Sequence, residues 1–357
     1  NFSFTENSWK TLEKNSDQDY VNKKYLGMIR NIKRNFWFIL EQFGASPVTH
    51  KSYLFDREHS LKKYNTSDLF LPYATSLRMS DVGYQSKIQD SLKISYNSLD
   101  EFIKALVKGI KTSVGKFNDI GMFDDAGIAQ QISTGILQIE NELYDIVRPK
   151  RSGPSGSRPA KLLKTDGIEY LELRGIDINP FIPEGIDVNK IKLLDIYITH
   201  SLISESPLML DEEINEIRAN QKIMVSEGRF KNIMLSKNGD LVSLTELRKN
   251  FLAELEQTAK ALDEYSKGYL KAFHLEISKS KLPSERILID MEEKGYEFQD
   301  YALNQTKKIA QNYNSFSVTD FSALTNSART SIKRLRNLEK SSSMDINKYV
   351  ELYNSKI

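Results

Sequence analysis

Residues 168–181 read IEYLELRGIDINPF, and the first seven alternate as an extended strand requires. Successive strand side chains point to opposite faces, so Ile168, Tyr170, Glu172 and Arg174 share one side and Glu169, Leu171 and Leu173 the other. Two positions along a strand span about 6.6 Å. A carboxylate and a guanidinium held at that spacing can grip two parts of one charged ligand, such as a metal phosphate. An intra-strand ion pair on a solvated face fits the spacing equally well. Alternation alone leaves both readings open.

The 357 residues are 39% hydrophobic and 27% charged, the make-up of a soluble globular protein with room for one large core or two smaller ones. Fifty basic residues against 48 acidic ones leave no whole-protein field of the kind that draws nucleic acid or a membrane surface. The absence of cysteine excludes disulfides, thiolate zinc sites and a cysteine nucleophile, and it suits a reducing compartment, so the cytoplasm is the expected location. The most apolar run, 191–203, is broken by Lys192, Asp195 and His200 and is too short to span a bilayer. Because the chain opens at Asn1, without methionine, a truncated protein is expected.

Apolar positions Val21, Tyr25, Met28, Ile29, Ile32, Phe36, Ile39 and Leu40 recur at helical spacing and stop before Gly44 and Pro47, which predicts one helix over 19–43. Ser98 is placed to cap a second helix over 99–112. Segments 136–147 and 168–174 read as extended, flanking a glycine-, serine- and proline-rich stretch at 148–159 that reads as a mobile loop. Helical periodicity returns at 189–204, 211–227, 244–273 and 284–291.

Three further constellations bear on chemistry. LPYATSLRMSDVGY, 71–84, sets Arg78 among small polar residues and two tyrosines, a composition that can close around a small carboxylate or form a solvated turn. In LQIENELYDIVRPKR, 137–151, strand alternation would put Gln138, Glu140, Glu142 and Tyr144 on one face, with Arg148, Lys150 and Arg151 at a loop edge where they could draw phosphate oxygens. A solvated charged face explains that pattern as well. His50, His59, His200 and His274 lack metal-ligand spacing, and no P-loop, GxGxxG or GxSxG sequence is present.

Together, NFSF at Asn1, FGASP at Phe43, LPYATSLRMSDVGY at Leu71, LQIENELY followed by RPKR from Leu137, and GIEYLELR followed by DINPF from Gly167 resemble the proteobacterial type of glutamate–cysteine ligase. The resemblance covers about residues 1–205 in five blocks in the family's order. It implies an α+β fold, with part of an antiparallel cupped sheet forming a glutamine-synthetase-like ligase core over 1–205, helices around it, and a helical carboxy-terminal region over 206–357.

The resemblance further implies an ATP-dependent enzyme that joins the γ-carboxyl of glutamate to cysteine through a γ-glutamyl phosphate, the first step of glutathione synthesis, with Mg2+ on the phosphates. Carried over by motif, Glu172 matches a magnesium ligand and Arg174 the arginine at the transferred phosphoryl group. Arg78 matches the residue that holds the glutamate carboxylate, and Tyr84 and Tyr144 match tyrosines of the cysteine pocket. Ile168 and Tyr170 fall where the nucleotide base is expected, and Lys150 joins them as a nucleotide contact. The family's other magnesium-binding glutamates, and a histidine two residues before Asn-Phe-Ser, are absent from this chain, so it is expected to be inactive alone. The competing expectation is a non-catalytic helical binding module in which Glu172 and Arg174 form a structural pair.

Overall fold

Asp17 and Asp19 in its first turn and Lys33 and Arg34 in its last complement the dipole of helix α1 (Asp17–Arg34), the first element among the described residues of the computed structural model. The structure describes residues 17–55, 57–313, 321–341 and 344–356, so the NFSF block lies outside the described residues. The single helix predicted over 19–43 is in fact two. Asn35 leaves helical geometry at φ −107° and ψ 19°, and α2 (Phe36–Phe43) starts beyond it with every residue buried. A helix that is apolar nearly all round belongs inside the core, whereas α1 keeps one wet face; the break lets the chain turn from one role to the other.

Strands β1 (Val48–His50), β2 (Lys62–Lys63) and β3 (Asp68–Phe70) form a three-stranded antiparallel sheet in the order β1-β3-β2. Helix α3 (Leu99–Lys111) begins where predicted, with the Ser98 hydroxyl accepting from the Glu101 N–H at 3.1 Å. Helix α4 (Gly115–Ile120) follows. The extended segment expected over 136–147 is not a strand. Its backbone finds partners on the end of α3, Ile136 N–H on Thr112 O and Leu137 N–H on Gly109 O, and then tightens into a 3-10 turn at Glu140–Glu142. Strand pairing begins only at the last residue of that segment, in β4 (Val147–Lys150), and runs on into the stretch expected to be loop.

Helix α5 (Pro159–Asp166) then leads to β5 (Tyr170–Leu173), antiparallel to β4 with Arg148 opposite Glu172 and Lys150 opposite Tyr170. Helices α6 (Val188–Ile203) and α7 (Asp211–Glu227) match the predicted periodicity. Between α7 and α8 (Leu244–Tyr265) lies an unpredicted hairpin, β6 (Met234–Lys237) and β7 (Asp240–Ser243). Its turn is Asn238-Gly239, at φ 57° and 85°, the pair that suits a two-residue hairpin loop. The helix expected over 244–273 breaks at Gly268, φ 96°, before α9 (Tyr269–Ile277). Helices α10 (Pro283–Lys294), α11 (Phe298–Tyr313), α12 (Ser322–Ser341) and α13 (Ile346–Asn354) complete an α+β chain dominated by helices. None of the described helices is long and apolar enough to cross a membrane.

The main core joins Ile29, Ile32, Phe38, Ile39 and Leu40 of α1 and α2 to Val147 and Ile168 at the β4–β5 ribbon, Leu193 and Tyr197 of α6, and Phe251 and Leu255 of α8. Residues on both sides of position 205 therefore share one core. This core is the floor on which the β4–β5 ribbon rests.

Candidate active site

Leu171 and Leu173 pack toward the core, which turns Glu172 and Arg174 to the other face of β5, as alternation requires. Arg174 Nε lies 3.5 Å from Glu172 Oε1. From β4, Arg148 Nη2 donates to Glu172 Oε2 at 2.8 Å and Lys150 Nζ stands 3.6 Å from the same oxygen. One carboxylate thus faces three cations, an arrangement with surplus positive charge that calls for an anion. Burial by itself pushes the Glu172 carboxyl up, but the hydrogen bond from Arg148 and the charges of Arg148, Lys150 and Arg174 outweigh it and hold the group below its usual range. The stabilisation from its ion pairs is therefore present above the ordinary glutamate range and fades as pH falls through the lowered value.

Arg148 is buried, although the sequence placed it at a loop edge; its Nη1 donates to Asn141 O and Leu143 O, each at 2.8 Å, and its Nε has no partner. Lys150 donates to Asn141 Oδ1 at 3.0 Å, and burial followed by repulsion from Arg148 pushes its ammonium below the usual lysine value. The Arg174 guanidinium lies over the Tyr84 ring, 4.7 Å from its centroid, and Tyr84 meets Tyr144 edge-on at 4.6 Å. Burial pushes the Tyr84 phenol up against the pull of Arg148 and Arg174, so it keeps its proton at neutral pH. Its hydroxyl is buried and unpartnered. Tyr84 and Tyr144 also form part of the wall of a cavity of about 410 Å³ that Met79, Gln85, Gln89 and Leu143 help to line.

Arg78 enters from the loop before Tyr84. Its Nε donates to Asp177 Oδ1 at 2.6 Å and its Nη2 to the carbonyls of Arg174 and Ile176, each at 3.0 Å. Asp177 is buried and also accepts from Ala45 N–H at 2.8 Å and Ser46 Oγ at 2.7 Å. Three stretches far apart in sequence, FGASP, SLRMSD and DINPF, therefore meet on this one carboxylate. Among the described residues these bonds use Nε and Nη2 of Arg78 and leave Nη1 as the donor for a ligand.

Gly83 makes this geometry possible. Tyr84 N–H bonds back to Arg78 O, and a Cβ on Gly83 would lie 2.6 Å from the Arg78 carbonyl carbon. Gly83→Ala should therefore cost about 1–3 kcal/mol as an overpacking change, read as a lower melting temperature; an unchanged melting temperature would show that the loop opens freely.

Not every expected residue joins the site. Ile168 is not on the Glu172 face: it precedes β5, is 1% exposed and packs in the main core, with its N–H on Asn22 Oδ1 and its carbonyl on Gln18 Nε2. The alternation that predicted otherwise fails because regular strand geometry starts only at Tyr170, which is exposed opposite Lys150. Glu140, predicted to share a face with Tyr144, is buried against Arg158. Asp177 and the pairing of Arg148 with Glu172 were missed. DINPF pointed to the aspartate only as part of a motif, and the cross-strand pair depends on a register that spacing does not reveal.

Among the described residues no group of three or more histidine, aspartate or glutamate side chains is placed to hold a metal ion. Glu172 offers one carboxylate whose oxygens already face cations. The described residues do not by themselves fit a magnesium centre.

A sequence profile described as glutamate-cysteine ligase matches residues 1–224. The chain belongs to the glutamate–cysteine ligase family. It is 35% identical to the glutamate–cysteine ligase of Pseudomonas fluorescens over its whole length, covering 69% of that protein, and 35% identical to that of Pseudomonas putida, covering 70%. Among solved structures, the glutamate–cysteine ligase of Francisella tularensis in complex with AMP superposes with a TM-score of 0.84 at 26% identity, over 95% of this chain and 68% of that one. A bifunctional glutathione synthetase from Pasteurella multocida shares the fold at a TM-score of 0.59 and 22% identity, over 85% of this chain and 34% of that one.

Proposed function

We propose that the cluster around Glu172 is the phosphoryl-transfer site of a glutamate–cysteine ligase, acting in the first step of glutathione biosynthesis. The observation that carries this reading is the convergence of Arg148, Lys150 and Arg174 on one carboxylate, beside two buried donors, Tyr84 Oη and Arg148 Nε, that lack partners. Buried donors without acceptors are costly, and phosphate oxygens would satisfy them. The AMP in the Francisella tularensis relative supports a nucleotide at this fold.

In this reading ATP and glutamate meet at the β4–β5 ribbon. The glutamate γ-carboxylate attacks the terminal phosphorus, ADP departs, and the resulting acyl phosphate is attacked by the cysteine amine with loss of inorganic phosphate. Arg174 stabilises charge on the transferring group, Lys150 holds phosphate oxygens, and Tyr170 at the exposed end of β5 borders the nucleotide. The free Nη1 of Arg78 takes the glutamate carboxylate, while Tyr84 and Tyr144 border the cysteine. Mg2+ enters with ATP as part of the substrate. Among the described residues Glu172 is the carboxylate of this cluster that could hold it.

With a single such carboxylate among the described residues, this chain alone is expected to consume no Mg–ATP. Joined to the part of the Pseudomonas fluorescens ligase that it does not match, it should release ADP continuously only when glutamate and cysteine are both present, and at most one ADP per site with glutamate alone. Sustained ADP release that ignores either amino acid, at full substrate loading, would refute the assignment.

A further inference from the structure

Behind the phosphate site lies an ion pair from which water is nearly excluded. The side chains of Glu140 and Arg158 are 2% and 1% exposed, with Nε to Oε1 at 3.1 Å and Nη2 to Oε2 at 3.0 Å. Desolvating two charges offsets most of their attraction, so such a pair adds little net stability. Its consequence lies in the backbone it immobilises. Glu140 opens the 3-10 turn Glu140–Glu142, and its neighbour Asn141 serves the site twice: its carbonyl accepts from Arg148 Nη1 at 2.8 Å and its side chain from Lys150 Nζ at 3.0 Å. Both cations that β4 presents to Glu172 are thus hung on a turn that Glu140 anchors.

Arg158 is seated in turn by the last helix. Its Cζ lies 4.3 Å from the centroid of Tyr353, a buried residue of α13, while its Nη1 has no hydrogen-bond acceptor. The ring face compensates part of that desolvation. Helix α13 is fastened where it lands. The Asn347 side chain donates to Gly127 O at 2.7 Å and accepts from Ala129 N–H at 2.8 Å, Asn354 donates to Ile132 O at 2.7 Å, and Lys356 donates to Gly156 O at 3.0 Å. These bonds tie the carboxy-terminal helix to the loop that precedes the turn and to the loop that carries Arg158.

We propose that Arg158 is a positioning residue of the phosphate site and that α13 is the strap that seats it. Three contacts in series, Tyr353 on Arg158, Arg158 on Glu140, and Asn141 on Arg148 and Lys150, place the cations before the ligand arrives. The inference rests on the reading of the Glu172 cluster as the phosphate site. If it holds, disturbing the strap loosens the hold on phosphates and leaves recognition of the nucleoside alone.

The test combines amide hydrogen exchange with titrations of ATP and adenosine on the full chain. Arg158→Gln should speed exchange over residues 141–150 while α1 stays protected, and should weaken ATP about tenfold, as loss of an outer-layer partner does, with adenosine binding unchanged. Tyr353→Leu, which keeps apolar bulk without the ring face, should give the same pattern more mildly and covers the case in which Arg158→Gln does not fold. Wild-type protection of residues 141–150 in the folded variants would overturn the strap, and so would equal losses of ATP and adenosine binding. Arg148→Ala judges the site by itself. ATP binding indifferent to it would refute the phosphate-site reading, while the exchange data still decide whether the strap exists.

Discussion

Replacing Asp177 with alanine should remove about 3 kcal/mol of stability, near the low end of the range for breaking a buried ion pair because Arg78 keeps some access to water. The aspartate side chain is 4% exposed, against 37% for Arg78. Its loss orphans Arg78 Nε and Ala45 N–H and leaves Ser46 Oγ, as a donor, only the longer contact to Ser76 Oγ at 3.2 Å. Those three donors come from two separate stretches of chain and Asp177 from a third, so water cannot reach all of them without opening the junction between the β1 approach, the Arg78 loop and the end of β5. For a domain stabilised by roughly 5–15 kcal/mol this is a large share. Urea unfolding is the measurement, and a change below about 1 kcal/mol, the ceiling for exposed pairs, would show that Asp177 does not hold the junction. Asp177→Asn keeps the shape and one acceptor oxygen, and should fall between the two.

The same residues show how far the sequence could be read. Features set by neighbours along the chain were legible: Ser98 three residues before Glu101 as a helix cap, and Glu172 and Arg174 on one strand face with leucines on the other. Asn238-Gly239 carries a local signal that went unused, since that dipeptide suits a tight hairpin and β6 and β7 were not anticipated. Contacts that depend on folding were not legible. Arg148 meets Glu172 only because β4 pairs with β5 in one register, and a one-residue slip would present a different side chain. The break at Asn35 hides inside unbroken helical periodicity, because asparagine is tolerated in a helix and the apolar spacing runs straight through it. Segment 136–147 misled for a related reason. Its alternation is genuine, but no partner strand lies beside it, and the C-terminal end of α3 takes its first backbone donors instead.

Arg174 provides the sharpest separation between folding and chemistry. Its side chain is about a third exposed, pairs with Glu172 at 3.5 Å and lies over the Tyr84 ring. Partly exposed contacts of that kind contribute about 1 kcal/mol or less apiece, so Arg174→Ala should fold and melt close to wild type. Under the proposed reading phosphoryl transfer should depend on it far more heavily, because an arginine that neutralises charge developing on the moving group contributes about 10³-fold or more in rate, equivalent to about 4 kcal/mol of barrier. In the enzyme assembled with the part of the Pseudomonas fluorescens relative that this chain does not match, Arg174→Ala should therefore lose about 10³-fold in glutamate- and cysteine-dependent ADP release without a matching loss of stability. Arg174→Lys keeps the charge but not the planar fork, and should recover only part of the rate. Turnover at the wild-type rate in a folded Arg174→Ala enzyme would move the reaction away from this strand and leave Glu172 and Arg174 as a structural pair.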